Sequence, residues 1–211
     1  MKILEVKPLQ IPEIKVIGYA RFIDRRGFFT EVYRKSDFDT HPQTDFLRNK
    51  EFVQANGSYS KKGAIRGLHF QWDPPMDKLI RVVTGSMVDL ALDIRKGSPT
   101  FGKIISYEMS PKMEADHNEW IWVPNGFAHG SIYLSETYIE YFCTAEWNPE
   151  GEASISPFAP DIEWSLCDPL VKKQLDRFAT TELVTEKDRN GFTLSQWERS
   201  TNSNNFTYHA S

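Results

Sequence analysis

Cysteine is scarce in this chain. Its 211 residues hold two, Cys143 and Cys167. That is no disulfide framework, and the spacing is no CxxC metal or redox motif. Both read as core thiols in a reducing, cytoplasmic compartment, the common fate of a free cysteine. Long hydrophobic runs are missing too. No uncharged apolar stretch approaches the roughly 18 residues of a membrane span, so no membrane partner is expected. The N-terminal stretch MKILEVKPLQIPEIKV carries charges every few residues and no apolar h-region, so it does not read as a secretory signal. There is no basic excess: 25 Lys and Arg stand against 29 Asp and Glu, a formal charge of −4. A general nucleic-acid binder carries a net basic face, and no nucleic-acid partner is expected. Glycine and proline, 12 each and without a period, exclude collagen-like and low-complexity classes.

What is present is a globular composition, with 40% hydrophobic and 13% aromatic residues. A chain this long buries roughly 70% of its unfolded surface, enough for a core. The helix period is rare. From about residue 14 to residue 165, strand-like runs punctuated by turn residues dominate. In Met87 to Ile94, the apolar Val88, Leu90, Leu92 and Ile94 alternate with Met87, Asp89, Ala91 and Asp93. Period two predicts a strand with one buried face. Leu79 to Val83 is another apolar run, and Thr84-Gly85-Ser86 between the two predicts a hairpin. Trp120 to Val123 is stopped by Pro124-Asn125-Gly126, a strong turn signal. Ser131 to Leu134 and Tyr138 to Thr144 follow. Many short strands at close spacing favour an antiparallel sandwich or barrel, and jelly rolls and cupins are the enzyme-bearing members of that group. From Leu166 the pattern changes: DPLVKKQLDRF is amphipathic enough for a short helix, and TEKDRNGFTLSQWERS adds another short piece. Residues 200–211 are polar and read as a mobile or loosely docked tail. The division is one β domain over residues 1–165 and a C-terminal extension over residues 166–211.

The histidines His41, His69, His117, His129 and His209 form no HxH, HxxH or HExxH pattern, so a metal-dependent cupin lacks its usual ligand spacing. Acid–base chemistry has better material. His69 lies in AIRGLHFQ, three residues after Arg66, inside an apolar strand, and histidine is the natural general base near neutral pH. The plain structural alternative is a histidine satisfied by backbone bonds and an arginine pointing to solvent. Tyr141 shares strand parity with Ile139 and Cys143, so it faces an apolar side and needs a hydrogen-bond partner, as a core tyrosine or as a proton donor. Asp24 to Glu31, DRRGFFTE, places two arginines beside two phenylalanines. That suits an anion next to an aromatic platform, and equally a solvated hairpin tip. His129 sits between Gly126 and Gly130 in PNGFAHG.

Taken in order, DRRGFFTE, FVQANGSYSKKGAIRGLHFQ, KLIRVVTGSMVDLALDIRKGSPTFG and WVPNGFAHGSIYLSET resemble the dTDP-4-dehydrorhamnose 3,5-epimerase family over roughly three quarters of the chain. The resemblance implies an all-β, cupin-type jelly-roll barrel, here with a short helical C-terminal extension. It implies a homodimer that needs no metal and no cofactor, and a nucleotide-diphosphate 4-keto-6-deoxy sugar as substrate. The 4-keto group acidifies the C–H bonds at C3 and C5, because the carbanion formed is an enolate. A base removes the proton on one face and an acid returns one on the other. By position, His69 is similar to the family base and Tyr141 to its opposite-face acid. Arg66 and Lys78 correspond to cationic groups near the enolate oxygen or the diphosphate, and preorganised charge of that kind is commonly a large catalytic term. Arg26, Phe29, Glu31, Gln54, Asn56 and His129 fall on the family's substrate-pocket positions.

The chain departs from the family in two places. A family carboxylate that pairs with the base histidine stands directly before a proline, and here that position is Ala159, so either Asp161 or a different residue is expected in the role. Residues 166–182 look inserted, while LVTEKDRNGFTL at Leu183 to Leu194 still resembles the family's closing element. Arg66 and His69 are three apart, so a regular strand points them to opposite faces, and a shared role requires a bulge or bend near Gly67. Three readings stand beside double epimerisation: an epimerase acting at one carbon, one acting on a GDP- or CDP-linked sugar, and a non-catalytic nucleotide-sugar-binding cupin.

Overall fold

A computed structural model of the chain describes residues 1–111 and 113–209. Among them, the short apolar runs become thirteen strands. The first seven are β1 (Ile3–Pro8), β2 (Lys15–Ala20), β3 (Phe22–Asp24), β4 (Gly27–Phe29), β5 (Gln54–Ser60), β6 (Ile65–Gln71) and β7 (Lys78–Thr84). The rest are β8 (Met87–Asp93), β9 (Ile104–Met109), β10 (His117–Val123), β11 (Phe127–Tyr133), β12 (Thr137–Cys143) and β13 (Glu152–Ser154). One sheet has the order β1-β2-β10-β7-β12-β5 and the other β13-β6-β11-β8-β9; β3 and β4 stand apart as a hairpin.

The chain crosses repeatedly between the two sheets. β7 and β8, predicted to pair as a hairpin, lie in different sheets. The turn between them carries the chain across the barrel rather than back along itself. Gly85 there has φ +87°, and a Cβ would come 2.2 Å from the Glu136 carbonyl oxygen. The Pro124-Asn125-Gly126 turn likewise passes from β10 to β11 in the facing sheet. β8 and β9 do pair directly. This two-sheet, sheet-switching arrangement is the cupin-type jelly roll.

The prediction for β8 was one buried face, and the structure buries both. Met87 and Ala91 face the interior with Ile80, Val82, Ile121 and Ile139. Val88, Leu90 and Leu92 point the other way, into an apolar layer completed by the C-terminal extension. Each sheet has a cover of this kind. On the six-stranded sheet, helix α1 (Lys35–Thr40) and the following turn bring Phe38 and Leu47 onto Ile17, Tyr19, Leu79, Trp120 and Trp122. On the five-stranded sheet lie α2 (Pro169–Phe178), α3 (Glu186–Arg189) and α4 (Leu194–Arg199).

Local chemistry starts these helices. The Asp168 side chain accepts from Leu170 N at 2.8 Å, and Pro169 takes the first helical position of α2. Thr193 and Gln196 form a capping box at α4. α2 then buries Val171 and Leu175, four apart on one face. Trp197 of α4 is fully buried, with its ring 4.5 Å from that of Phe70 in an edge-on contact. Burying a side chain such as Leu175 or Phe206 contributes about 1.5–3 kcal/mol. The expected mobile tail is instead docked as far as Tyr208. Phe206 enters the apolar layer, Lys96 N donates to its carbonyl at 2.7 Å, and Tyr208 N donates to the Lys96 carbonyl at 2.9 Å. Residues 210 and 211 of that tail lie outside the described residues. With both outer sheet faces covered by apolar side chains, polar groups can face inward at one end of the barrel.

Candidate active site

That end is a cleft of about 410 Å3, lined among others by Gln54, Asn56, His69, Lys78, Tyr141 and Trp147. It runs on into an inner chamber of about 190 Å3 that shares His69, Lys78 and Tyr141 and adds Arg66, His129, Ser131 and Tyr133. β5 explains part of this. Its sequence QANGSYS alternates, but the partly buried set is Gln54, Asn56 and Ser58, so the strand turns its polar side chains inward.

His69 and Arg66 reach the same space because β6 is bulged. In its pairing with β11, His129 stands opposite His69 and Ser131 opposite Arg66, so three steps on β6 match two on β11. The bend expected near Gly67 is there. Gly67 has φ +107°, and a Cβ would lie 2.6 Å from both Gly130 Cα and the His129 carbonyl oxygen, so only glycine fits. Arg66 Nε donates to Ser60 Oγ at 2.9 Å beside the chamber.

The carboxylate beside His69 is not Asp161. Both Asp161 oxygens are taken at the start of α4, where they accept from Leu194 N at 3.0 Å and from Ser195 N and Oγ, each at 2.8 Å. Ala159 belongs to the apolar layer, where an acid would be stranded. The partner is Asp188 of α3, whose Oδ1 lies 2.6 Å from His69 Nε2. Thr185 caps α3 and donates its hydroxyl to Asp188 Oδ2 at 2.8 Å. Burial works against the Asp188 charge, but the His69 bond and charge, the Thr185 hydroxyl and the Gly67 amide together hold its pKa below the ordinary carboxylate value. The sequence signal was the Thr-x-x-Asp spacing of a helix start, inside the LVTEKDRNGFTL stretch.

A second histidine–carboxylate pair lies on the neighbouring strands. His129 Nε2 is 2.7 Å from Asp89 Oδ2, and Asp89 is 1% exposed. Asp89 was not singled out from sequence. Its signal was a carboxylate sharing strand parity with Met87 and Ala91, the inward face.

Tyr141 projects from β12 on the facing wall. Burial raises its pKa, only partly offset by Arg66 and by a hydrogen bond with Asn56, so the phenol keeps its proton at neutral pH. Lys78 lies deep in the cleft. Burial lowers its pKa, opposed by the neighbouring Cys143 sulfur and by the Glu152 and Asp89 carboxylates. Its Nζ donates to the His69 carbonyl at 3.4 Å. Burial also raises the pKa of the Cys143 thiol, which leaves it unreactive. Among the described residues, no cluster of three or more His, Cys, Asp or Glu is arranged to hold a metal ion. No described helix is long and apolar enough to cross a membrane.

Three predicted pocket residues lie elsewhere. Arg26 pairs with Asp24 at 2.6 Å on the exposed tip of the β3–β4 hairpin, and Phe29 on the same hairpin is 66% exposed. Glu31 accepts from the N-terminal ammonium at 2.8 Å and pairs with Arg34. None of the three lines this chain's own cleft.

A histidine–carboxylate pair on one wall and a neutral phenol on the other can take a proton from carbon on one side and return one from the other. A jelly roll built around such a pair is equipped for acid–base chemistry on carbon. The model of the dTDP-4-dehydrorhamnose 3,5-epimerase family matches residues 8–196. The enzyme of that name from Pseudomonas aeruginosa is 38% identical over 190 residues, covering 87% of this chain and 92% of that one. The one from Neisseria gonorrhoeae is 36% identical over 93% of this chain, which spans 55% of the Neisseria protein's length. The crystal structure of a Legionella pneumophila dTDP-6-deoxy-D-glucose-3,5-epimerase in complex with dTDP-4-keto-L-rhamnose superposes with a TM-score of 0.76. It is 31% identical, and the match covers 98% of this chain and 99% of that one. The chain belongs to the dTDP-4-dehydrorhamnose 3,5-epimerase family.

Proposed function

We propose that the chain epimerises a dTDP-linked 4-keto-6-deoxy hexose at C3 and C5, with His69 as the base and Tyr141 as the acid. The observation that carries this is the facing pair itself: an imidazole on β6, oriented by the Asp188 carboxylate of α3, and a proton-bearing phenol on β12, lining one cleft. His69 takes the proton from the carbon next to the ketone, and the electron pair moves into the enolate. Tyr141 then gives its proton to the opposite face of that carbon, and the ketone is restored. Lys78 and Arg66 supply positive charge to the enolate oxygen or the diphosphate, and Gln54 and Asn56 hold the substrate. Asp188 fixes the ring of His69 and stabilises the imidazolium that forms, the role a buried carboxylate plays beside a general-base histidine.

The same reading includes a homodimer in the cytoplasm. Arg26, Phe29 and Glu31 match pocket positions of the family, yet they lie outside this chain's cleft. The hairpin that carries the first two exposes Phe22, Ile23, Phe28 and Phe29. A second copy that receives this hairpin at its own cleft reconciles both facts.

The test is incubation in D2O with dTDP-, GDP- and CDP-linked 4-keto-6-deoxy sugars. Deuterium at C3 and C5 of the dTDP sugar is the expected result. Label at one carbon alone, or preference for another nucleotide, corrects the assignment, and no label at all refutes it. Sedimentation of the intact chain tests the dimer.

A further inference from the structure

Inverting one carbon leaves the enzyme in the wrong protonation state. His69 has gained a proton and Tyr141 has lost one. The second carbon, or the next substrate, needs both restored, so a proton must travel from the imidazolium to the phenolate. The charge balance is simple: one proton leaves His69 Nδ1, the nitrogen that Asp188 does not hold, one arrives at the Tyr141 oxygen, and nothing is oxidised or reduced.

The inner chamber holds a built alternative. His129 and His69 are register partners on adjacent strands, so their side chains rise side by side from one wall. His129 lines the chamber together with His69, Lys78 and Tyr141, so one space touches the proton's origin and its destination. Asp89 is held 2.7 Å from His129 Nε2 and is almost fully buried. Its second oxygen, Oδ1, is buried with no hydrogen-bond partner among the described residues. A buried carboxylate usually has both oxygens satisfied. One that spends its charge on a single imidazole gives a passing positive charge on that ring a counter-ion at hydrogen-bond distance.

We propose that the Asp89–His129 pair is a relay that resets the active site, carrying the proton from His69 across the inner chamber towards Tyr141 between successive proton transfers. His129 moves the proton, and Asp89 is a positioning residue that fixes its ring. This rests on the His69 and Tyr141 assignments above.

The experiment is rapid-quench labelling of the intact protein in D2O with the dTDP-linked 4-keto-6-deoxy sugar, comparing wild type, His129→Gln and Asp89→Asn. The expected result for His129→Gln is a burst of about one label per active site, followed by turnover slowed about 10²-fold relative to the burst, the low end of the range of a general acid–base group. Singly labelled sugar accumulates, and added imidazole restores the second phase. Asp89→Asn shows the same split in weaker form. A residue that only binds substrate or holds the fold changes KM or slows both phases alike, so equal slowing with no burst overturns the relay. Absence of label from the wild type overturns the epimerase assignment, and the relay with it.

Discussion

His69 and His129 meet across one rung of the β6–β11 ladder, and each has an aspartate, at 2.6 Å and 2.7 Å. The two pairs differ in nearly everything else. The His69 side chain is 34% exposed and that of His129 is 11%. Asp188 reaches His69 from a short helix 119 residues further along the chain, and both its oxygens are bonded. Asp89 comes from the adjacent strand, and one of its oxygens has no partner among the described residues. Bond length alone therefore does not assign a role. The open, fully braced pair suits contact with a substrate. The enclosed pair with spare acceptor capacity suits a proton in passing. The comparison also shows that the barrel's own ladder delivers one carboxylate, while the other depends on the C-terminal cover staying docked.

The largest effect that tests this division is at His69. His69→Ala should lower exchange of substrate C–H for solvent deuterium about 10²–10⁴-fold, the range of a general acid–base group, read from label in the first turnover. Exchange at the wild-type rate would remove His69 as the base. Asp188→Asn should come next on that same first label, because the ring keeps a neighbour but loses its counter-charge. Asp89→Asn should spare the first label by comparison and slow later turnover. If Asp89→Asn harmed the first label more than Asp188→Asn, the roles of the two pairs would be exchanged.

A smaller effect separates the cover from the chemistry. Trp197→Ala removes the ring packed on Phe70 and should cost about 3–5 kcal/mol of unfolding free energy, measured by denaturant titration. Activity should then fall with the docking of α3 at denaturant concentrations where the two main sheets persist. Loss of stability with no early loss of activity would mean that Asp188 is held by its own local bonds alone.

Much of this was legible in advance, for physical reasons that differ by element. Period-two runs such as Met87–Asp93 mark strands wherever they occur, so the all-β class followed directly. Pairing did not follow, because a Gly-bearing connection serves a hairpin and a crossing between sheets equally well. β5 was opaque to hydrophobic patterning, since its inward residues Gln54, Asn56 and Ser58 are polar and recognisable only once a cleft is known to lie there. The bulge at Gly67 was legible, because Arg66 and His69 cannot otherwise share a face. Asp188 was harder. Strand parity says nothing about a side chain arriving from a helix 119 residues away, and Asp161 stood nearer to the family position. What distinguishes the two is competition for the carboxylate: backbone amides at the start of α4 claim Asp161, while α3 leaves one Asp188 oxygen free to reach the ring.

The smallest effect concerns acid stability. In the folded chain Asp188 titrates below its ordinary value, while an unfolded aspartate titrates near about 3.9. A carboxylate held low by folding stabilises the native state at pH values above the unfolded pKa. That contribution is lost as pH falls through the lower, folded value, where the native state must take up the proton as well. Asn at position 188 has no such titration. Wild type and Asp188→Asn should therefore differ most in Tm near neutral pH and converge as pH is lowered through the carboxylate range. Asp161→Asn is the control on the same cover. It alters the bonds that Asp161 accepts from Leu194 and Ser195 at the start of α4, but it leaves His69 and the first-turnover label untouched. A Tm gap for Asp188→Asn that stayed constant from neutral to acid pH would show that its carboxylate contributes shape and not charge. The two pairs would then differ in exposure alone, and the distinction between a braced catalytic pair and a relay pair would lose its electrostatic half.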